Sequence, residues 1–149
     1  MFIDGKWVES RSGETFEVFN PATGASLATV PSGNADDATA AIDAASNAFA
    51  DWSATTAYER SRLLYRSWEI MTERSEDLAQ LMTAEQGKPL RAARAEVKYA
   101  ADFLLWFAEE AKRVTGEWLP SQRADQRFLS VKAPVGVVAA ITPWNYPIS

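Results

Sequence analysis

The amino-acid sequence predicts an α/β protein in which a parallel sheet begins close to the last residues. Short strand-like segments separated by turn residues occupy roughly the first thirty positions. Four stretches with apolar residues at helical spacing follow, up to about residue 114. The run Val135–Ile141 is then continuously apolar, which is typical of a strand buried on both faces of a parallel sheet. Together these observations favour an N-terminal hairpin, a helical layer, a strand-rich arm near residues 117–133, and the first strand of a Rossmann-like sheet.

The first segments predict two hairpins. Asp4-Gly5 separates two short strand-forming segments, and this dipeptide supplies the positive φ values of a type I′ turn. A longer connection, Asn20–Gly24, separates Val18-Phe19 from Leu27–Val30, which predicts a second hairpin with a larger turn.

Capping residues mark where the helices begin and end. Asn34 is suited to cap a first helix, and Thr56 with Glu59 three residues later is a capping box for the second. Ser75 is suited to cap the third, which Gly87 ends. We expect the first helix to bury an apolar stripe spaced four, three, four and three residues apart: Ala38, Ile42, Ala45, Phe49 and Trp52.

The fourth helix is the longest, and strands follow it. Its pattern runs from about Leu90 to Val114. Glu117–Leu119 and Arg127–Lys132 are predicted strands of the arm. The stripe of this helix that we expect to be buried comprises Val97, Ala101, Leu104, Ala108 and Ala111.

Composition excludes several classes of function. The sequence contains neither cysteine nor histidine, so this chain has no thiol nucleophile, no imidazole base and no Cys/His metal site. Its net charge of −5 gives no general attraction for nucleic acid. The apolar runs Phe103–Ala108 and Val135–Ile141 are too short to cross a bilayer, and no signal peptide pattern is visible. We expect a cytoplasmic protein with neither a membrane nor a nucleic-acid partner.

The segment Ala140–Pro147 is the candidate site. It follows directly on the predicted buried strand, and ligands of open α/β sheets bind beyond the carboxyl ends of strands. Pro143 and Pro147 restrict their own φ angles and favour extended geometry in the residues before them. The result is a stiff turn that presents a tryptophan and an amide. An ordinary proline-rich loop with a tryptophan plug is the alternative interpretation.

Several motifs occur in the order found in one family. Pro134–Pro147 resembles the segment with which the aldehyde dehydrogenase superfamily enters its dinucleotide-binding domain. Phe2–Trp7 resembles the opening hairpin of that family, Phe19–Gly24 its Asn-Pro turn, and Glu85–Pro89 its Glu-x-Gly-Lys-Pro motif. Phe103–Val114 is most similar to the succinate-semialdehyde dehydrogenase branch.

This resemblance implies a chemistry and a set of site residues. The implied reaction oxidises a small aldehyde to its acid with NAD or NADP, through a cysteine thiohemiacetal. Asn145 matches the position of the amide that stabilises the oxyanion. Tyr99 and Phe103 are candidates for the substrate channel, with core or interface packing as the alternative. The positions that match residues lining the cofactor are Ile141, Thr142, Pro143 and Trp144.

The resemblance also implies a division of the chain. We expect residues 1–133 to form the hairpin, helical layer and arm strands, and residues 134–149 to begin a dinucleotide-binding domain. A buried parallel strand needs neighbours and crossover helices that are not in this sequence. We therefore expect an amino-terminal fragment, inactive alone, of an enzyme that forms a homo-oligomer, a dimer or tetramer. The alternatives are a non-catalytic binding or structural module, and one subunit of a split enzyme.

Overall fold

The computed structural model describes residues 1–149 and combines four helices with six short strands. A single 3-10 turn, Ala111–Arg113, follows the last helix. The elements in chain order are β1 (Phe2–Ile3), β2 (Lys6–Trp7), β3 (Thr15–Phe19), β4 (Ser26–Pro31), α1 (Ala35–Ala54), α2 (Ala57–Glu73), α3 (Ser75–Gln86), α4 (Leu90–Glu110), β5 (Glu117–Leu119) and β6 (Phe128–Ser130).

Both predicted hairpins near the start of the chain are present. In the first, Asp4 and Gly5 have φ angles of 52° and 72°, as a type I′ turn requires, and Phe2 pairs with Trp7. In the second, β3 and β4 pair in antiparallel register with an irregularity after Val18. The turn between them is closed by the carbonyl of Asn20, which accepts the backbone N–H of Gly24 at 2.8 Å.

A capping box begins α1 and also attaches the first segment of the chain to this helix. The side chain of Asn34 accepts from the backbone N–H of Asp37, and the Asp37 carboxylate accepts from the N–H of Asn34. That carboxylate also accepts from the Ser10 hydroxyl at 2.7 Å and the Arg11 N–H at 3.0 Å. Donation by Ser10, then by Arg11 and Asn34, lowers the pKa of Asp37.

The apolar stripe predicted for α1 is not buried within this chain. Ile42 is 55% exposed and Trp52 is 48% exposed. The helix itself forms over Ala35–Ala54, because its cap and its alanine-rich sequence favour it locally. The prediction was right about the helix and wrong about its burial, since no other element of this chain covers that face.

The second and third helices begin and end close to the predicted positions. Thr56 and Glu59 form the expected capping box of α2. Ser75 does not cap α3, because it is the first helical residue and Arg74 occupies the cap position without a side-chain bond. Gly87 ends α3 with a φ of +73°, and a Cβ there would lie 2.9 Å from Pro21 Cγ. The Asn-Pro turn therefore rests against the end of α3.

The core lies where α2 and α3 pack against α4. The predicted stripe of α4 is confirmed, because Val97, Ala101 and Ala108 are buried and Leu104 and Ala111 are partly buried. The regular helix ends at Glu110, earlier than the predicted Val114, and a 3-10 turn continues it. The fully or almost fully buried apolar cluster consists of Ala79, Met82, Ala93 and Val97.

The two predicted arm strands pair with each other. β5 and β6 are antiparallel, with Glu117 opposite Ser130 and Leu119 opposite Phe128. The second strand is shorter than the predicted Arg127–Lys132. Every residue of both strands is exposed, so neither strand is buried against another element of the chain.

The run Val135–Ile141 is not a strand in this structure, contrary to expectation. It makes no backbone hydrogen bond, and Val135 and Ile141 are 90% and 99% exposed. A parallel strand is defined by pairing with neighbouring strands, and this chain supplies none beside it. No helix of the structure is both long enough and apolar enough to cross a membrane.

Candidate functional site

The last residues of the chain return to the helical layer and place the candidate site there. Ile148 is partly buried and packs against the core cluster between α3 and α4. The turn just before it, residues 144–147, contains Asn145 and has no regular secondary structure. The site is therefore formed where this turn meets the end of α3 and the first half of α4.

A buried ion pair lies beneath that turn. The Lys88 ammonium, in the link between α3 and α4, donates to the carboxylate of Glu96 on α4. Both side chains are largely removed from water, with 17% of Lys88 and 2% of Glu96 exposed. An ion pair this far from solvent is stable only when its remaining hydrogen-bonding capacity is used.

The turn supplies those additional partners. Lys88 Nζ donates to the backbone carbonyl of Asn145 at 2.8 Å and lies 4.6 Å from the centre of the Tyr146 ring. The second oxygen of the Glu96 carboxylate accepts the backbone N–H of Ile148 at 3.3 Å. The ion pair is thus connected to the turn on both sides.

The side chain of Asn145 is free, although its backbone is held. It is exposed and makes no hydrogen bond in this structure, so both N–H donors of the amide are available. An uncharged amide with unused donors, on a turn that is anchored through its carbonyl, is suited to stabilise negative charge on a ligand oxygen.

A groove of about 760 Å³ opens beside the turn and brings two groups of predicted residues together. Thr142 and Pro143 line it together with Tyr99 and Phe103, which lie on α4. The remaining lining residues are Lys88, Ala92, Ala95, Glu96, Tyr146 and Ser149. Two predicted cofactor residues, Ile141 and Trp144, are not part of this lining.

The two aromatic candidates on α4 are surface residues in this chain. Tyr99 is 54% exposed and Phe103 is 41% exposed, so neither belongs to the core. Their rings meet edge to face at 4.7 Å, and Phe107 continues the row with its centroid 6.5 Å from that of Phe103. The first two rings of this aromatic row, Tyr99 and Phe103, line the groove.

Sequence reasoning missed Lys88 and Glu96. A signal was present for each, because Lys88 belongs to the Glu-x-Gly-Lys-Pro motif and Glu96 immediately precedes Val97 on the apolar stripe. An acidic residue three positions after the buried Ala93 shares its helix face and needs a buried partner there. The proline pattern predicted the segment that forms the turn, but it did not predict that Lys88 and Glu96 bind this segment.

Comparison with known proteins defines the family. The model of the aldehyde dehydrogenase family matches residues 7–149, which is nearly the whole chain. The chain belongs to the aldehyde dehydrogenase family.

Similar proteins of known activity are semialdehyde and related dehydrogenases. The NADP(+) succinate-semialdehyde dehydrogenase of Escherichia coli is 50% identical over 97% of this chain and 30% of its own length. The 3-sulfolactaldehyde dehydrogenase of Pseudomonas putida is 54% identical over 98% of this chain and 30% of its own length. The chain therefore spans about 30% of the length of these relatives.

Solved structures confirm the fold of the family. An NADP-dependent enzyme of Escherichia coli superposes with a TM-score of 0.96 at 50% identity, covering 99% of this chain and 31% of that one. A variant of betaine aldehyde dehydrogenase from Staphylococcus aureus, in complex with NAD+, gives 0.93 at 38% identity, covering 99% and 30%. The hairpins, helical layer and arm strands thus have the arrangement of this family.

Proposed function

We propose that this chain is the amino-terminal part of an NAD(P)-dependent enzyme that oxidises a small acid semialdehyde, such as succinate semialdehyde, to the carboxylic acid. The observation that carries the proposal is the 50% identity, over almost the whole chain, to a succinate-semialdehyde dehydrogenase. Other similar enzymes act on glutarate semialdehyde or 3-sulfolactaldehyde, which are also aldehydes with an acidic group at the far end.

Asn145 is the residue of this chain that we propose takes part in the chemistry. When a nucleophile adds to an aldehyde carbonyl, the oxygen gains negative charge. The free amide of Asn145 donates a hydrogen bond to that oxygen, and its interaction strengthens as the charge develops. The nucleophile comes from outside this chain, because residues 1–149 contain no cysteine.

We propose that Ile141, Thr142, Pro143 and Trp144 contact the nicotinamide cofactor, NAD or NADP. The proposal is supported by exposure, because Ile141 is 99% and Trp144 is 86% exposed, and these residues flank in sequence Thr142 and Pro143, which line the groove. Such surface is stabilised when a flat ring or sugar covers it. The Thr142 hydroxyl offers a hydrogen bond to a polar group of the cofactor. When bound there, the nicotinamide would supply the hydride acceptor for the oxidation.

Tyr99 and Phe103 are proposed to border the substrate channel. They line the same groove as Thr142 and Pro143 and present aromatic surface to a short carbon chain. The nearest cation of the groove, Lys88, is already paired with Glu96. The cationic group that pairs with the distal carboxylate of the substrate is therefore expected from outside residues 1–149.

The full-length enzyme is proposed to be a homo-oligomer. Trp118 and Leu129, which lie opposite each other in the β5–β6 hairpin, are 64% and 68% exposed. Exposed apolar side chains on a two-stranded hairpin are typical of a surface that another chain covers.

The substrate proposal is tested on the full-length enzyme. We expect kcat/KM for succinate semialdehyde, with either NAD or NADP, to exceed that for butanal, which has the same number of carbons and no charge. A paired carboxylate is recognised by charge-assisted hydrogen bonds that butanal cannot make. A higher kcat/KM for butanal would refute the acid-semialdehyde assignment while leaving the family unchanged.

A further inference from the structure

Every hydrogen bond between the turn that carries Asn145 and the helical layer uses a side chain of that layer. Residues 131–149 make no backbone–backbone hydrogen bond to any other part of the chain. Three hydrogen bonds join this segment to the helical layer, and each uses a side chain of α3, of the α3–α4 link or of α4. The side chains that make them are Gln86, Lys88 and Glu96.

Lys88 acts directly on the residue that bears the amide. Its ammonium accepts no hydrogen bond and has three donors, of which one binds Glu96 and one binds the Asn145 carbonyl at 2.8 Å. The neighbouring Tyr146 ring lies 4.6 Å beneath the same charge. The ammonium of Lys88, whose side chain is 17% exposed, thus contacts the turn at both Asn145 and Tyr146.

Glu96 fixes both that cation and the far side of the turn. One carboxylate oxygen binds Lys88, and the other accepts the Ile148 N–H at 3.3 Å. Because Glu96 is on a buried face of α4, 4% exposed, the helix core sets the position of the carboxylate. Through this carboxylate, the packing of α4 determines where the turn lies.

We propose that Lys88 and Glu96 are positioning residues that hold the Asn145 amide at the oxyanion site, an inference that rests on the role proposed for Asn145. Neither side chain needs to touch the substrate for this. A displaced amide loses transition-state stabilisation although substrate and cofactor still bind, because a donor must be aimed at the developing charge.

The test is a double-mutant cycle in the full-length enzyme. Lys88→Met combined with Glu96→Gln removes both buried charges together, which avoids leaving one unpaired. We expect this pair of substitutions to lower kcat by up to about 10²-fold with little change in KM. In an Asn145→Ala background the same pair should cause little further loss, since interacting residues are not additive. Equal losses in both backgrounds would overturn the proposal.

A second measurement keeps the inference separate from the role of Asn145. We expect hydrogen exchange in the peptide covering residues 142–149 to be faster in Lys88→Met/Glu96→Gln than in the unaltered enzyme. Lys98→Met is the matched control, because Lys98 forms an exposed ion pair with Asp102 on the same helix. Unchanged hydrogen exchange of residues 142–149 in Lys88→Met/Glu96→Gln would contradict the proposal that these two side chains hold the turn. A normal kcat in Asn145→Ala with faster exchange would instead refute only the role of Asn145.

Discussion

At the scale of single residues, Glu76 is the acidic residue whose pKa is most clearly lowered. Arg94 donates to its carboxylate twice, at 2.8 and 2.7 Å, and Gln80 adds a third bond at 3.0 Å. Donation by Arg94, then by Gln80, lowers the pKa of Glu76 from 4.5 to about 2. The carboxylate and guanidinium join α3 to α4 on an exposed surface, where 49% of Glu76 and 54% of Arg94 remain accessible.

This shift predicts a specific dependence of stability on pH. The folded pKa of Glu76 lies below the unfolded value, so the ionised form stabilises the fold above about pH 4.5, and that contribution is lost as the pH falls towards about 2. We expect Glu76→Gln to lower Tm slightly at neutral pH, with a difference that shrinks across this window. In an Arg94→Leu background, the change in Tm caused by Glu76→Gln should be largely absent at every pH. If the Tm difference between Glu76→Gln and the unaltered protein did not depend on pH, the Glu76–Arg94 ion pair would not be its cause.

Some site residues were predictable because their local chemistry is visible in the sequence, and others were not. Prolines flanking an amide and a tryptophan marked the segment Ala140–Pro147 as a candidate site, and the resemblance to the aldehyde dehydrogenase superfamily implied the roles of Asn145 and its neighbours. The Lys88–Glu96 pair joins residues eight positions apart, and its bonds to the turn join residues more than fifty positions apart. Contacts between residues so far apart in the sequence depend on how the helices pack, and no local sequence pattern specifies that packing. The roles of Asn145 and its neighbours stay predictions until variants are measured.

At the scale of elements, local signals determined the helices well. The caps at Asn34 and Thr56 and the stop at Gly87 are present because each satisfies backbone groups within a few residues. Ser75 was misassigned by one position, since Arg74 already ends α2 and begins α3. The strand predicted at Val135–Ile141 is absent because strand pairing depends on distant partners. Sequence patterns whose contacts lie within a few residues predicted the helices well. The pattern that needed distant strand partners gave a wrong prediction.

At the scale of the whole molecule, the chain leaves much of its apolar surface uncovered. Only 11 of 149 residues are buried, which is too few to enclose the aromatic and branched side chains of four helices. Uncovered apolar side chains include Val135, Ile141 and Trp144 in the last segment and Trp106 on α4. Such a surface is typical of a part that other parts of a protein cover.

We therefore predict that the isolated chain of residues 1–149 associates in solution. Exposed apolar side chains and the unpaired edges of the β5–β6 hairpin favour oligomers or aggregates over a monomer. Size-exclusion chromatography with light scattering measures the mass, and an assay with aldehyde and NAD(P)+ measures turnover, which we expect to be absent. A monodisperse monomer that oxidises aldehyde would contradict this account of the chain as part of a larger enzyme.

The role of Asn145 is the central claim, and substitution of this one side chain tests it most directly. Removal of one oxyanion donor typically lowers kcat by about 10²–10³-fold, so we expect that loss in Asn145→Ala of the full-length enzyme. Asn145→Asp should be at least as damaging, because it places a carboxylate beside a developing negative charge. The dissociation constant of the cofactor and Tm should change little in both variants. A near-normal kcat in folded Asn145→Ala, with chemistry as the rate-limiting step, would contradict the account.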